Sequence, residues 1–468
     1  MVKFNKIFIS LLVFTFFLLK AEFSAGESLD LSLSQSIERG LVVKKDLQFS
    51  AADLRFQSMA ISEKIRNYFP KLSLQVENST TIEYNAPDIR SNVLVFGLNQ
   101  LLYDGGKLNN EIRQARASLY LASLDTVSKR TEAVFQIADA YLGILRQHEK
   151  IRMKRELLEN SMKEMKVTEK QAELGEATAL DLLEWQIQEG QLEIDLKQLE
   201  SDLRDSMSQF KRLLTLDDQT EINLTQNLKL DSELPEAPVN TEDYYREALG
   251  ASIDLKKLEM SLYQSKIGSF KNSLFIPEVG LTASYTADLK KFFSPDNSWS
   301  IGLSLTLPAF FDTISLSGGL GGNIKGTESS PNSSASTTVY NDPSAIRQLM
   351  SGDMSGEQIR FQYEEAQKDL KMSVEKTVRD LRFQREKSGL AEERVKLGEK
   401  KEIILKEQQR IGEIRLSEYI QYQNSVSAMK TDRLDAVYQY VSLQLKLYKL
   451  RGMLSENDLR VFYEEFLE

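Results

Sequence analysis

Nine prolines stand in this 468-residue chain, and where they are missing constrains the fold more than where they occur. They are Pro70, Pro87, Pro235, Pro238, Pro277, Pro295, Pro308, Pro331 and Pro343, so none lies between residues 88 and 234 and none after 343. An interior proline removes a helical hydrogen bond and clashes with the preceding turn. Two proline-free arms rich in Leu, Glu, Lys, Gln, Arg and Ala are therefore predicted to be long helices. In the first arm, Val134, Ile137, Ala138, Tyr141, Leu142 and Leu145 recur at helical spacing.

Each arm carries one glycine-marked interruption, "AELGEATALDLLEWQ" around Gly175 and "QRIGEIRLSEYIQYQ" around Gly412. With the glycines in register, Asp181 lies over Glu418 and Trp185 over Tyr422 without a gap. Upstream, "GLVVKKDL" (40–47) matches "ALGASIDL" (248–255), ending in the same Asp-Leu. The chain reads as an internal duplication, each half running helix, strands, long helix, turn, returning helix.

Four segments near the prolines alternate with period two. Leu72, Leu74, Val76 and Ile82 share one face, as do Leu94, Phe96, Leu98 and Leu102. In the second half Val279, Leu281, Ala283, Tyr285 and Ala287 form one set, and Trp299, Ile301, Leu303, Leu305 and Leu307 another. An apolar face backed by small polar residues suits a membrane barrel, and equally a half-buried soluble sheet. The N-terminus bears on that choice. Lys3 and Lys6 precede an apolar run from Ile7 to Leu19, and Ser24, Ala25 and Gly26 follow. This pattern predicts a secretory signal peptide over 1–25, too short and wrongly flanked for a spanning helix. No later apolar run is long enough to cross a bilayer as a helix, so an exported chain that spans a membrane does so with strands.

Composition removes several functions. A net charge of −10 argues against a phosphate-binding surface and hence against nucleic acid. There is no cysteine, which excludes disulfides, thiolate metal sites and an N-terminal lipid anchor. His148 is the single histidine and reads as a solvated helix residue, so neither a metal nor a cofactor is expected. "GGLGGN" (318–323) lacks the strand-turn-helix setting and lysine of a phosphate loop. The chain is expected not to be an enzyme.

Four strands cannot close a membrane barrel, for which about eight is the minimum, and open edges in lipid are prohibitive. Three copies would share twelve. Some 70 residues from Gly105 to Gly175 amount to roughly 100 Å of helix, whose apolar stripe is useful only when packed in a ring. A barrel continued by a helical tube is a conduit. The alternative is a periplasmic structural coiled-coil protein with a small soluble β-sheet.

The motifs "IRNYFPKLSL", "LLYDGG", "AYLGIL" and "AELGEATALDLLEWQ", echoed by "SLFIPEVGL", "LSLTLPAFFD" and "RIGEIRLSEYIQYQ", make the mature chain resemble the TolC-like outer-membrane efflux protein family. That resemblance implies a mostly α, internally duplicated fold with a membrane β-barrel part. Each protomer would supply four strands and two long antiparallel helical hairpins to a homotrimer with a twelve-strand barrel and a periplasmic α-helical tunnel. It implies a passive duct of a tripartite efflux pump or type I secretion system, lodged in outer-membrane lipid. Its partners would be a periplasmic adaptor (membrane fusion) protein and an inner-membrane transporter of RND, ABC or MFS type.

The expected segments are a signal peptide (1–25), first-repeat N-terminal helices (26–69), membrane hairpin 1 (70–104) and helical hairpin 1 (105–216). A linker or equatorial segment (217–240), the opening helix of the second repeat (241–274) and membrane hairpin 2 (275–314) follow. The second half then departs from the pattern: an insertion of roughly forty residues (315–356), rich in Gly, Ser, Thr and Asn, reads as a flexible loop. Helical hairpin 2 (357–454) and a C-terminal tail (455–468) complete the chain.

By the resemblance, Glu418 and Gln421 constrict the periplasmic entrance, with Asp181 and Glu184 at the corresponding turn of the first hairpin. Carboxylates repeated threefold would form acidic rings, although acids at helix starts are also favoured by the helix dipole alone. Leu174, Gly175, Glu176, Ile411, Gly412 and Glu413 are the implied adaptor-docking residues. At the strand-to-helix junction, Tyr103 reads as an interfacial aromatic. Gly105 and Gly106 permit the turn there, and Asp104 caps the new helix.

Overall fold

The computed structural model describes residues 29–82, 84, 89–175, 177–230, 234–236, 240–271, 277–290, 292–308, 313–338 and 344–467. The expected signal peptide and Glu176 lie outside these. In chain order the first elements are β1 (Leu29–Leu31), α1 (Leu33–Val43), α2 (Lys45–Arg66), β2 (Lys71–Thr81) and β3 (Ile89–Tyr103). Then come α3 (Lys107–Glu173), α4 (Ala179–Leu213), β4 (Ile222–Leu224), α5 (Thr241–Ala251) and α6 (Ile253–Lys271). The remainder are β5 (Glu278–Asp288), β6 (Ser298–Pro308), β7 (Thr313–Asn323), β8 (Ser329–Thr338), α7 (Ser344–Arg410), α8 (Leu416–Leu450) and α9 (Glu456–Phe466). Two compact units share the chain. One comprises residues up to Leu47, Lys129–Ser252 and Leu370 onward; the other comprises Gln48–Ser128 and Ile253–Asp369.

Helices α3 and α7 are each 67 residues long and contribute to the first unit from Lys129 and from Leu370 onward, together with their returning partners α4 and α8, each of 35 residues. No proline interrupts any of the four, which is why such lengths survive. The core gathers Ile137, Tyr141, Leu142 and Ile144 of α3 with Phe210 of α4, Val374, Val378 and Leu381 of α7, and Tyr440, Val441 and Leu445 of α8. Each such side chain contributes about 1.5–3 kcal/mol through burial. The buried phenols are satisfied: Tyr141 donates to the Leu31 carbonyl (3.2 Å) and Tyr440 to the Pro235 carbonyl (3.0 Å). A Cβ at Gly40 of α1 would come within 2.4 Å of Ile137 Cδ1, so a larger residue there would oblige the buried Ile137 side chain to shift. Strands β1 and β4 pair in parallel, Leu29 with Ile222 and Leu31 with Leu224.

The expected C-terminal tail is instead a core element. Ser455 and Asp458 form a capping box that starts α9. Leu459, Phe462 and Phe466, spaced three and four residues apart, bury one face of it.

The second unit contains a six-stranded sheet in the order β2-β3-β5-β6-β7-β8, antiparallel throughout. Its register aligns the alternating residues. Leu74 lies opposite Phe96, Phe96 opposite Tyr285, Tyr285 opposite Trp299; farther along, Leu305 lies opposite Leu316 and Leu316 opposite Ala335. Since opposed residues share a face, the apolar sets of all the strands lie on one side. On the other lie Ser73, Ser284, Ser300, Ser317 and Ser334, with hydroxyl pairs Ser284–Ser300 (2.8 Å) and Ser317–Ser334 (2.7 Å). Among the described residues the sheet is not closed, and β2 and β8 are its edges.

Two expectations are corrected here. Four strands were expected per chain, and the sheet has six. The segment expected to be a loop over 315–356 supplies the hairpin β7–β8, and α7 already begins at Ser344 rather than near residue 357. The physical reason is period: Ile314, Leu316 and Leu320 alternate with small residues, and backbone pairing to β6 rewards that pattern despite the Gly and Ser content.

Candidate functional site: the paired hairpin turns

The turns that end the two helical hairpins are built alike but finished differently. Gly175 (φ +78°) and Gly412 (φ +79°) both take the left-handed conformation that glycine adopts without penalty. At the second turn the Gly412 N–H donates to the Gln409 carbonyl (3.0 Å) and the Glu413 N–H to the Gln408 carbonyl (2.9 Å). These bonds satisfy the last orphan carbonyls of α7. At the first, Gly175 N–H donates to the Ala172 carbonyl (3.1 Å) and Ala177 N–H to that of Gln171 (3.2 Å).

The starts of the returning helices differ. Thr178 caps α4 in a reciprocal box, its hydroxyl accepting from the Asp181 N–H (3.2 Å). The Thr178 N–H and hydroxyl both donate to Asp181 Oδ2, at 2.9 and 2.6 Å. Asp181 is therefore occupied as a helix-start acid. Its positional counterpart Glu418 follows Arg415, which offers no capping side chain, so α8 begins without a side-chain cap bond. Glu418 and Gln421 are exposed one turn apart on α8, and Glu184 is half-buried on α4. Of the four residues expected at the entrance, Glu418 is the exposed carboxylate with no role in a cap.

Between the turns lies a small apolar pin of Trp185, Leu416, Tyr419 and Ile420, flanked by Met165, Leu405 and Ile414. The Trp185 indole N–H donates to Thr168 Oγ1 at 3.0 Å. The Gln188 and Asn424 carboxamides exchange hydrogen bonds of 2.7 and 3.0 Å between α4 and α8, and Lys406 of α7 pairs with Glu164 of α3 at 2.5 Å. Burial pushes the Tyr419 hydroxyl well above its usual range, and the Glu402 and Glu164 carboxylates add to the shift. Burial likewise holds the Glu402 carboxyl above the ordinary carboxylate range, opposed by Lys430, reinforced by Glu399 and opposed again by Lys406.

Leu174 and Ile411 project exposed at the two turns, and Glu413 is exposed beside Gly412. Sequence reading missed the stripes that continue from them. On α4, Leu180, Leu183, Ile187 and Ile194 are exposed at intervals of three, four and seven; on α7, Phe383, Leu390, Leu397 and Ile404 are exposed every seven residues. Heptad repetition was the available signal.

At the other end of α3, Asp104 holds the helix start: its carboxylate accepts from the Gly106 N–H (2.9 Å) and the Leu108 N–H (2.5 Å). Gly105 (φ +64°) and Gly106 (φ +87°) are left-handed, and Tyr103 is exposed after a β-bulge at Leu101. Lys107 pairs with Glu278 at 2.5 Å, joining the starts of α3 and β5. His148 lies exposed on α3, and among the described residues no group of acids and histidine forms a metal site.

A family model described as outer membrane efflux protein matches residues 37–215, from α1 through α4. Over that stretch the chain is similar to the outer membrane efflux proteins. Its fold is that of several solved outer-membrane channels. CusC, described as forming a transmembrane channel, superposes with a TM-score of 0.73 at 14% identity over 92% of this chain and 95% of that one. The Campylobacter jejuni CmeC outer membrane channel gives 0.70 at 15% identity over 92% and 89%. The Vibrio cholerae outer membrane protein VceC gives 0.71 at 15% over 90% and 96%. At such identities the likeness is one of fold. Among curated proteins none matches by sequence. None of the described helices is long and apolar enough to cross a membrane.

Proposed function

We propose that the chain is the passive exit duct of a tripartite efflux pump or a type I secretion system. In this reading three copies share one outer-membrane barrel, and their internally duplicated helical hairpins line a tunnel toward the periplasm. Twelve strands follow if only β2, β3, β5 and β6 enter that barrel. A periplasmic adaptor docks at the turns around Leu174, Gly175, Ile411, Gly412 and Glu413, and an inner-membrane transporter supplies the energy. The chain itself performs no hydrolysis.

The observation that carries this reading is the apolar face running across the sheet, on which Leu72, Leu74, Ile301 and Leu303 are each more than half exposed. A soluble coiled-coil protein would leave that face in water at a cost of about 25 cal/mol per Å², whereas lipid covers it. The exposed stripes on α4 and α7 agree, since each needs a helix from another copy. Purification from outer-membrane fractions is expected to yield a heat-modifiable trimer. A soluble monomer would refute the duct.

A further inference from the structure

The edge strands determine how copies of this protein can join. Strand β6 has no free edge: it is paired with β7 along its whole length, from Ser298 opposite Asn323 to Pro308 opposite Thr313. Strand β7 is in turn paired with β8 from Thr313 opposite Thr338 to Gly322 opposite Ser329. Among the described residues the unpaired backbone of the sheet therefore belongs to β2, 11 residues long, and β8, 10 residues long. In a bilayer every such N–H and C=O must find a partner, and an open edge is not tolerated.

We infer, on the basis of the duct reading, that all six strands enter the membrane wall. Three copies of a six-stranded sheet then close an eighteen-stranded barrel in which β8 of one copy pairs with β2 of the next. The strands alternate in direction and are even in number, so β8 meets the next β2 antiparallel, like every other pair in the sheet. The lengths match to within one residue. The faces match too. Toward lipid, β7 presents Ile314, Leu316 and Leu320, and β8 presents only the small residues Pro331, Ser333, Ala335 and Thr337 opposite Leu320, Gly318, Leu316 and Ile314. At the junction those small residues sit between the leucines of β7 and Leu72, Leu74 and Val76 of the neighbouring β2.

Toward the lumen the added strands present Ser315, Ser317, Gly319 and Gly321, then Ser330, Asn332, Ser334 and Ser336, continuing the small polar wall of β5 and β6. With strands about 4.8 Å apart and tilted about 40°, eighteen strands give a cylinder roughly 36 Å across, against roughly 24 Å for twelve. The membrane section of the duct then has about twice the cross-section that four strands per chain would allow, and suits bulky cargo.

The absence of native cysteine makes the seam directly readable. In the full-length chain, Ser334→Cys on β8 or Ser300→Cys on β6 is combined in turn with Ser73→Cys, Gln75→Cys, Glu77→Cys and Ser79→Cys on β2, all on the polar face. After mild oxidation of membranes, denaturing electrophoresis reads the covalent products, and sedimentation of the unoxidised protein reads its mass. The expected result is covalent trimer from Ser334→Cys with one or two of the β2 positions and none from Ser300→Cys. Covalent trimer from Ser300→Cys overturns the eighteen-strand wall and leaves the trimeric duct standing. A sedimenting trimer that links at neither pair across the scan overturns it as well. A monomer refutes the duct reading itself.

Discussion

Trp185 is the residue on which the distal ends of the two hairpins turn, and removing it is the most informative single perturbation. Its side chain is 2% exposed. Replacing a buried tryptophan by alanine costs about 3–5 kcal/mol, the sum of lost transfer energy and a cavity that neighbours only partly fill. Leu416, Tyr419 and Ile420 of α8 would line that cavity. The hydrogen bond adds little of its own in this variant, because the Thr168 hydroxyl still donates to the Glu164 carbonyl (3.1 Å). The reverse experiment, Thr168→Val, leaves the buried indole N–H without an acceptor at about 1–3 kcal/mol. Because the core around Tyr141 and Tyr440 is a separate cluster, the loss is local. Amide hydrogen exchange on the detergent-purified protein measures it. With about 1.4 kcal/mol per factor of ten, Trp185→Ala should speed exchange in the first turns of α4 and α8 by about a hundred- to a few thousand-fold. Peptides around Tyr141 should be unchanged, and Thr168→Val should lie in between. If Trp185→Ala raises exchange at α8 by less than tenfold in a folded protein, Trp185 does not pin the turns.

Gly412→Ala should lower local stability at the turn by about 1–2 kcal/mol, since nothing approaches its Cβ within 4 Å and only the left-handed backbone (φ +79°) opposes it. Gly190→Ala, equally open but inside α4, should stabilise by up to about 1 kcal/mol; limited proteolysis showing the same sign for both would contradict this. Glu402 has a raised carboxyl, so the unfolded chain ionises first as pH rises, and stability falls until pH passes the folded-state value. Glu402→Gln should therefore raise the melting temperature at neutral pH and change it little in acid, and a shift independent of pH would be inconsistent with that cause. Glu418→Ala should weaken divalent-cation block of single-channel current in planar bilayers, and unchanged block removes Glu418 from the entrance.

The hairpins and the strands β2, β3, β5 and β6 were legible because one physical rule governs each: absent proline with a 3.6-residue stripe, or alternation with a period of two. Strand β7 obeys the same rule through Ile314, Leu316 and Leu320, yet its glycines and serines read as linker. Composition describes what a segment can do alone, and pairing to β6 supplies what it lacks. The helix α9 was hidden differently. Ser455, Asp458, Leu459, Phe462 and Phe466 spell a cap and an amphipathic face, but eleven residues at a chain end give no length from which to recognise a helix.

At the site, the alignment of the two glycines correctly placed Asp181 and Glu418 at matching positions, yet equal position did not mean equal chemistry. The deciding residues are three places earlier, Thr178 against Arg415. A threonine hydroxyl engages the acid that follows it in a cap, and an arginine leaves that acid exposed. The two turns thus share a glycine conformation while the acid after one is engaged in a cap and the acid after the other is exposed. That asymmetry is written in the sequence, and it becomes readable once the cap residue is compared instead of the acid.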